Sequence, residues 1–78
     1  EMPNYAVFGA DPGIAYVSNA GNGTVSELDL ARGIVRRNLI AGTAPEHLAI
    51  DPARGALYVA DTEAEAVLEL GLADGAQR

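Results

Sequence analysis

Apolar residues in this chain occur in short runs, each bounded by residues that favour turns. The runs are residues 5–8, 14–18, 24–30, 34–42, 47–50, 56–60 and 66–72. The third run alternates, and we expect residues 24, 26, 28 and 30, with their counterparts 68, 70 and 72, to face inward. Helical periodicity competes only over residues 62–72, where Gly71 argues against a helix. The pattern therefore predicts strands throughout.

The seven runs form two copies of one unit. A shift of 42 residues places 1–36 on 43–78, and eleven of the 36 aligned pairs are identical, among them Tyr16/Tyr58 and Glu27/Glu69. A helix-free unit of four strands and about 42 residues is typical of a β-propeller blade. We predict an all-β fold in which residues 1–42 form a four-stranded blade. Residues 43–78 form a second blade that lacks its outer strand.

Turn residues lie between the predicted strands. Proline fixes φ, glycine permits positive φ, and an Asn-Gly pair is a strong hairpin signal. A short polar side chain at the end of the second strand of each unit can also accept bonds from the next turn. The predicted structural turn residues are Asn19, Asp61, Asn22, Gly23, Pro12, Gly13, Pro52 and Gly55.

Composition and charge exclude several classes of protein. Hydrophobic residues make up 49% of the 78-residue chain and charged residues 21%, which is too apolar for intrinsic disorder. There is no cysteine, so disulfides and thiol chemistry are excluded. Five arginines oppose eleven acidic residues, and this net charge of −6 disfavours nucleic acid as a partner. No apolar stretch approaches the roughly 20 residues of a membrane span, so we expect no membrane insertion.

The single histidine marks the best candidate ligand site. His47 precedes the innermost strand of the second unit, where propeller blades meet the central channel and bind ligands. With Glu46, and with Asn4 and Tyr5 in the first unit, it predicts a weak ligand-binding site at the mouth of that channel. One histidine provides too few ligands for a metal centre, and no nucleophile has a base in a recognisable motif. We therefore expect no catalytic residues, metal or cofactor in this chain.

Other acidic residues have structural interpretations. Asp61, Glu63 and Glu65 lack the spacing of a calcium loop and are expected to form a solvated turn that protects a strand edge. Glu27 and Glu69 are predicted to point outward and to pair with Arg36 across neighbouring strands.

The sequence of the two units resembles the YVTN family of bacterial and archaeal β-propeller repeats. The matching segments are Tyr16-Val17-Ser18-Asn19, Tyr58-Val59-Ala60-Asp61, Gly23-Thr24-Val25 and Pro45-Glu46-His47-Leu48-Ala49-Ile50-Asp51-Pro52. The chain departs from the family where Asp61 replaces Asn, where residues 62–65 contain no glycine, and where Glu46 takes a frequent His position. The resemblance implies rings of typically seven blades in periplasmic, cell-surface or secreted binding proteins.

Two blades alone leave an apolar face uncovered at each end. We therefore expect a non-catalytic binding or structural module that completes a ring, either by head-to-tail self-association or with other propeller blades or protein subunits. The alternative, implied by the resemblance, is a fragment or small subunit of a propeller enzyme. Such an enzyme would be a haem- or quinone-linked oxidoreductase or a lactonase.

Overall fold

The computed structural model describes residues 3–9, 11 and 13–78, with side chains from Tyr5 onward. The strands are β1 (Pro3–Phe8), β2 (Ile14–Asn19), β3 (Thr24–Asp29), β4 (Ile34–Ile40), β5 (Pro45–Asp51), β6 (Ala56–Asp61) and β7 (Ala66–Gly71). They form two antiparallel meanders, with sheet orders β1-β2-β3-β4 and β5-β6-β7. We call the first sheet blade 1 and the second blade 2. The expected all-β architecture is confirmed, and residues 66–71 form a strand rather than a helix.

The 42-residue repeat is also a repeat of backbone hydrogen bonds. In blade 1 the Leu30 amide donates to the Gly13 carbonyl at 2.8 Å, and in blade 2 the Leu72 amide donates to the Gly55 carbonyl at 2.9 Å. The fourth position of blade 2 is represented by a single bridge between Leu70 and Gln77. Equivalent sequence positions therefore occupy equivalent positions in the two meanders.

The blades pack face to face, and each uses a different face for this contact. Blade 1 contributes Tyr16 and Val25 to the buried cluster, whereas blade 2 contributes Leu57, Val59 and Leu70. Adjacent residues in a strand point to opposite faces. Blade 1 thus packs with the face that carries residue 16, and blade 2 packs with the face that does not carry residue 58. Stacking in one direction requires this, since each blade presents its front to the back of the next.

The expected inward phase of the third run is wrong in blade 1. Val25 is 0% exposed and Glu27 3%, while Leu30 on the other face is 44% exposed. The expectation holds in blade 2, where Leu70 is fully buried. The reason is the stacking: a strand with apolar residues on both faces buries whichever face meets the neighbouring blade.

Two turns of blade 1 contain predicted turn residues. The Asp11 carboxylate accepts a hydrogen bond from the Gly13 amide at 2.9 Å. Gly23 has φ of 70°, the left-handed conformation that favours glycine, and Asn22 precedes it in the β2–β3 turn. Pro12 lies outside the described residues.

The β5–β6 turn is a short 3-10 helix over Pro52–Arg54. Asp51 caps its start by accepting from the Arg54 amide at 3.4 Å, and Gly55, with φ of 62°, ends it. Proline suits the first position of such a turn because its φ is already fixed. The described residues contain no helix long and apolar enough to cross a membrane.

Candidate functional site

The predicted ligand residues meet at the first strands of the two blades. The rings of Tyr5 on β1 and His47 on β5 lie edge to face, with centroids 4.9 Å apart and planes inclined by 61°. Ser18, fully buried on β2, donates from its hydroxyl to the Glu46 carbonyl at 2.9 Å and so ties this segment of β5 to blade 1. The structure brings the side chains of Tyr5 and His47 together, whereas Glu46 joins them only through its backbone carbonyl. The side chain of Asn4 lies outside the described residues.

This group, which we call the inner-strand site, remains accessible to solvent. Tyr5 is 42% exposed, His47 is exposed and Glu46 is half-buried. The paired phenol and imidazole of Tyr5 and His47 can bind a small polar or aromatic group by stacking and hydrogen bonding. Among the described residues, no three His, Cys, Asp or Glu side chains are grouped to hold a metal ion.

A second polar group lies buried between the blades. The Tyr16 hydroxyl donates to Glu27 Oε2 at 2.7 Å, while Arg37 Nε donates to Oε1 at 2.7 Å and Nη2 to Oε2 at 3.3 Å. We call these three residues the interblade triad. The expectation that Glu27 points outward and pairs with Arg36 is therefore wrong. A register shift between Glu27 and Leu28 brings Arg37 opposite Glu27, on the face that blade 2 covers.

Burial and hydrogen bonding shift the pKa values of this triad. Burial raises the pKa of Tyr16 to about 12, and its hydrogen bond to Glu27 adds to the effect. Burial also opposes ionisation of Glu27, but the bonds from Arg37 and Tyr16 outweigh it and lower the Glu27 pKa. The same bond to Glu27 raises the pKa of Arg37. At neutral pH the triad is an ion pair with a protonated phenol.

The triad also joins blade 1 to blade 2. Arg37 Nη2 donates to the Leu72 carbonyl at 2.5 Å, and Nη1 donates to the Ala73 carbonyl at 3.3 Å. A cleft of about 450 Å³ opens beside it, lined also by Asp11 and Arg36. No buried side-chain nitrogen or oxygen in the described residues lacks a hydrogen-bond partner. The polar groups between the blades are thus used in holding the blades together.

Asp61 holds the connection between the blades. Its carboxylate accepts bonds from the Thr43 amide at 2.9 Å, the Thr43 hydroxyl at 3.0 Å, the Ala44 amide at 3.1 Å and the Ala64 amide at 3.3 Å. The Thr43 amide bond is the main reason that the Asp61 pKa falls to about 2. Asn19, at the same place in blade 1, instead donates to the Ser26 hydroxyl at 2.9 Å.

The acidic turn after β6 is only partly as expected. Glu63 and Glu65 are exposed, whereas Asp61 is 3% exposed. Asp61 is buried because it accepts bonds from the interblade connector as well as from its own turn. It therefore belongs to the interblade contact rather than to a solvated acidic turn.

Sequence reasoning missed the interblade triad. The signal was present, because Tyr and Glu recur in both units and lie directly opposite each other on neighbouring strands, as Tyr16↔Glu27 and Tyr58↔Glu69. A tyrosine opposite a glutamate brings a hydroxyl donor near a carboxylate acceptor across the sheet, and in blade 1 the two form a hydrogen bond. The arginine could not be assigned, since the register shift moves the pairing by one residue.

The comparisons with known proteins extend the description of the fold. No family model and no curated protein matches the chain. Among solved structures, it is similar to a chain of Kuenenia stuttgartiensis hydrazine synthase, with a TM-score of 0.90 and 21% sequence identity. The alignment covers 97% of this chain and 22% of the hydrazine synthase chain. At this identity the likeness concerns the fold alone, and it confirms two antiparallel propeller-type blades of four and three strands.

Proposed function

We propose that this chain is a non-catalytic binding or structural β-propeller module of the YVTN type, completed by further blades. One observation carries the proposal: equivalent valines in the two blades have opposite environments. Val25 is 0% exposed because blade 2 covers it, while Val67, 42 residues later, is 71% exposed. The outer face of blade 2 has the composition of a covered face, although no other part of the described chain covers it.

The opposite end of the pair supports the same conclusion. On the face of blade 1 that points away from blade 2, Phe8 is 72% exposed and Ile40 is 77% exposed. Exposed apolar patches of this kind mark interaction surfaces in soluble proteins. Repeat proteins gain stability from interfaces between neighbouring repeats, so two blades with two uncovered faces form part of a larger stack.

In the proposed module the inner-strand site binds the ligand. Tyr5, Glu46 and His47 lie on the first strands of adjacent blades, which border the central channel in a propeller. The ligand class that fits is a small polar or aromatic molecule that can stack on the phenol and accept from the imidazole. By its YVTN resemblance the module belongs to a periplasmic, surface or secreted protein.

A second candidate function is favoured by a separate observation. The structural likeness to hydrazine synthase, at a TM-score of 0.90, is a likeness to part of an enzyme chain. This chain would then be a portion of a propeller enzyme, such as a haem- or quinone-linked oxidoreductase or a lactonase. Its described residues provide one exposed imidazole, His47, toward a cofactor. The remaining ligands and reacting groups would come from elsewhere in that enzyme.

Two measurements on the purified chain test the proposal. At the lowest workable concentration, where copies stay apart, we expect the folded chain to bind a hydrophobic fluorescent dye through its uncovered blade faces, and to show no Soret or quinone absorbance. A folded 8.0 kDa monomer that binds no dye would contradict the module, because its faces would then need no covering. A co-purifying haem or quinone band, lost in His47→Ala, would instead establish the enzyme alternative.

A further inference from the structure

We infer that the outer face of blade 2 docks against the open face of blade 1 in a second copy of this chain, head to tail. The inference rests on the proposed function and names the partner and the contacts. Blade 1 and blade 2 already form one such contact within the chain. Because the blades are copies of one unit, the outer face of blade 2 corresponds to the covered face of blade 1. The open face of blade 1 likewise corresponds to the face with which blade 2 covers blade 1.

The outer face of blade 2 repeats the covered face of blade 1. Tyr58 lies opposite Glu69, as Tyr16 lies opposite Glu27. The pair is completed by Arg78, whose Nη1 donates to Glu69 Oε2 at 3.0 Å. This side therefore offers the same tyrosine, carboxylate and guanidinium, with an exposed valine beside them.

The open face of blade 1 repeats the covering face of blade 2. The shift of 42 relates Phe8 to Ile50, Leu28 to Leu70, and Leu30 to Leu72. In blade 2 these positions pack against blade 1: Leu70 is fully buried, and both Ile50 and Leu72 pack against the core cluster. In blade 1 Phe8 and Leu30 are 72% and 44% exposed. An apolar surface of the right pattern is therefore available on each copy.

The polar contacts fix the register between copies. Within the chain, Arg37 donates to the carbonyls of Leu72 and Ala73, in the turn after β7. The equivalent turn of a second copy presents the carbonyls of its residues 30 and 31 to Arg78, which already lies beside Glu69. A charged donor aimed at backbone carbonyls gives orientation as well as affinity. Two different faces meet, so the contact is heterologous.

Paired substitutions on the two faces provide the test. Phe8→Arg alters the open face of blade 1 and Val67→Arg the outer face of blade 2, both at positions more than 70% exposed. Ile34→Arg is the matched control, because Ile34 is 49% exposed, lies opposite Asp29, and belongs to neither docking face. All three make the same change in charge. Far-UV circular dichroism checks the fold, and sedimentation velocity over a concentration series measures the mass.

We expect the wild type and Ile34→Arg to associate as concentration rises. Phe8→Arg and Val67→Arg should each raise the dissociation constant at least about tenfold, the scale for altering an apolar anchor. Mixing these two variants should restore association but stop it at dimers, because each retains one intact face. This complementation is specific to a head-to-tail contact.

Other results overturn the inference. A wild-type chain that binds dye yet stays monomeric would exclude docking between copies, while leaving the proposed module to be completed by other blades. Association that neither variant weakens would show that other surfaces are used. Variants that each dissociate but form no dimers when mixed would show that the two faces do not meet.

Discussion

Replacement of Glu27 by Gln tests whether the interblade triad stabilises the fold. The substitution keeps the shape of the side chain but removes the charge that faces Arg37, 2.7 Å from its Nε. Hydrogen bonds to charged groups contribute about 1.5–3 kcal/mol each, and the Glu27 side chain is only 4% exposed. We therefore expect the free energy of unfolding to fall by about 2–3 kcal/mol. For a domain of this size that corresponds to a fall in Tm of roughly 8–24 °C.

Glu69 is a matched control within the same molecule. It occupies the same place in the repeat and pairs with Arg78 at 3.0 Å, but the side chains are 26% and 46% exposed. Exposed ion pairs contribute about 0–1 kcal/mol, so Glu69→Gln should have a small effect. Urea unfolding followed by circular dichroism, at the lowest workable concentration so that copies stay apart, measures both variants. Equal losses in the two variants would refute the argument that burial of the triad makes the difference.

Tyr16, Asp61 and Gly42 each stabilise the contact between the blades, and the loss of each contribution can be measured separately. Because folding raises the Tyr16 pKa from 10.0 to about 12, the stability that Tyr16 contributes below pH 10 should be lost as pH rises towards 12. In Tyr16→Phe the free energy of unfolding should fall less steeply over this range, which urea unfolding at each pH measures, while phenolate absorbance follows the ionisation of Tyr16. Because folding lowers the Asp61 pKa from 3.8 to about 2, the stability that the Asp61 carboxylate contributes should be lost as pH falls from 3.8 towards 2. Asp61→Asn should therefore lower the Tm at neutral pH, and the difference in Tm between the variant and the wild type should shrink on acidification. Gly42→Ala places a methyl group against the Asp61 carboxylate at φ of 86°, whereas Gly33→Ala meets no neighbouring atom. Gly33→Ala should lower the free energy of unfolding by about 1–2 kcal/mol because of its left-handed backbone, and Gly42→Ala should lower it further. Equal urea midpoints for the two variants would contradict this.

The strands and their order were predictable because each depends on local signals. Alternation and turn chemistry located the seven strands of the described residues, with ends that differ by at most two residues; the second strand of each unit extends one residue further, to Asn19 and Asp61. The 42-residue repeat then gave the sheet order, since a meander pairs each strand with the next in sequence. These properties need no knowledge of the rest of the molecule.

The buried face was not predictable from one unit alone. Both faces of a blade strand carry apolar residues, and alternation does not show which face meets a neighbour. Val25 and Leu28 are equally apolar, yet only Val25 is fully buried. The Arg37 pairing was hidden for another reason, because the register shift after Glu27 is a backbone irregularity with no distinct residue pattern.

The inner-strand site was predictable only in part. His47 was selected as the sole histidine, and the repeat aligns it with Tyr5 of the other unit. The expectation that it precedes the innermost strand was wrong, because β5 begins at Pro45 and His47 lies within it, with its ring against that of Tyr5. The bond that anchors the segment, from the Ser18 hydroxyl to the Glu46 carbonyl, joins residues 28 positions apart and involves a backbone acceptor. A bond to a backbone carbonyl cannot be inferred from the types of the residues that form it. Whether these side chains bind a ligand stays a prediction.

The two tyrosine–glutamate pairs link stability to assembly. As an exposed ion pair, Glu69 and Arg78 contribute little to the free energy of unfolding, because water competes for the charges and salt screens them. The Glu27–Arg37 pair contributes more to the free energy of unfolding, because blade 2 excludes water and supplies the Leu72 and Ala73 carbonyls to the guanidinium. Covering the outer face of blade 2 would turn the first environment into the second. A partner blade that covers this face, as proposed above, would therefore strengthen the Glu69–Arg78 pair and stabilise the fold by mass action.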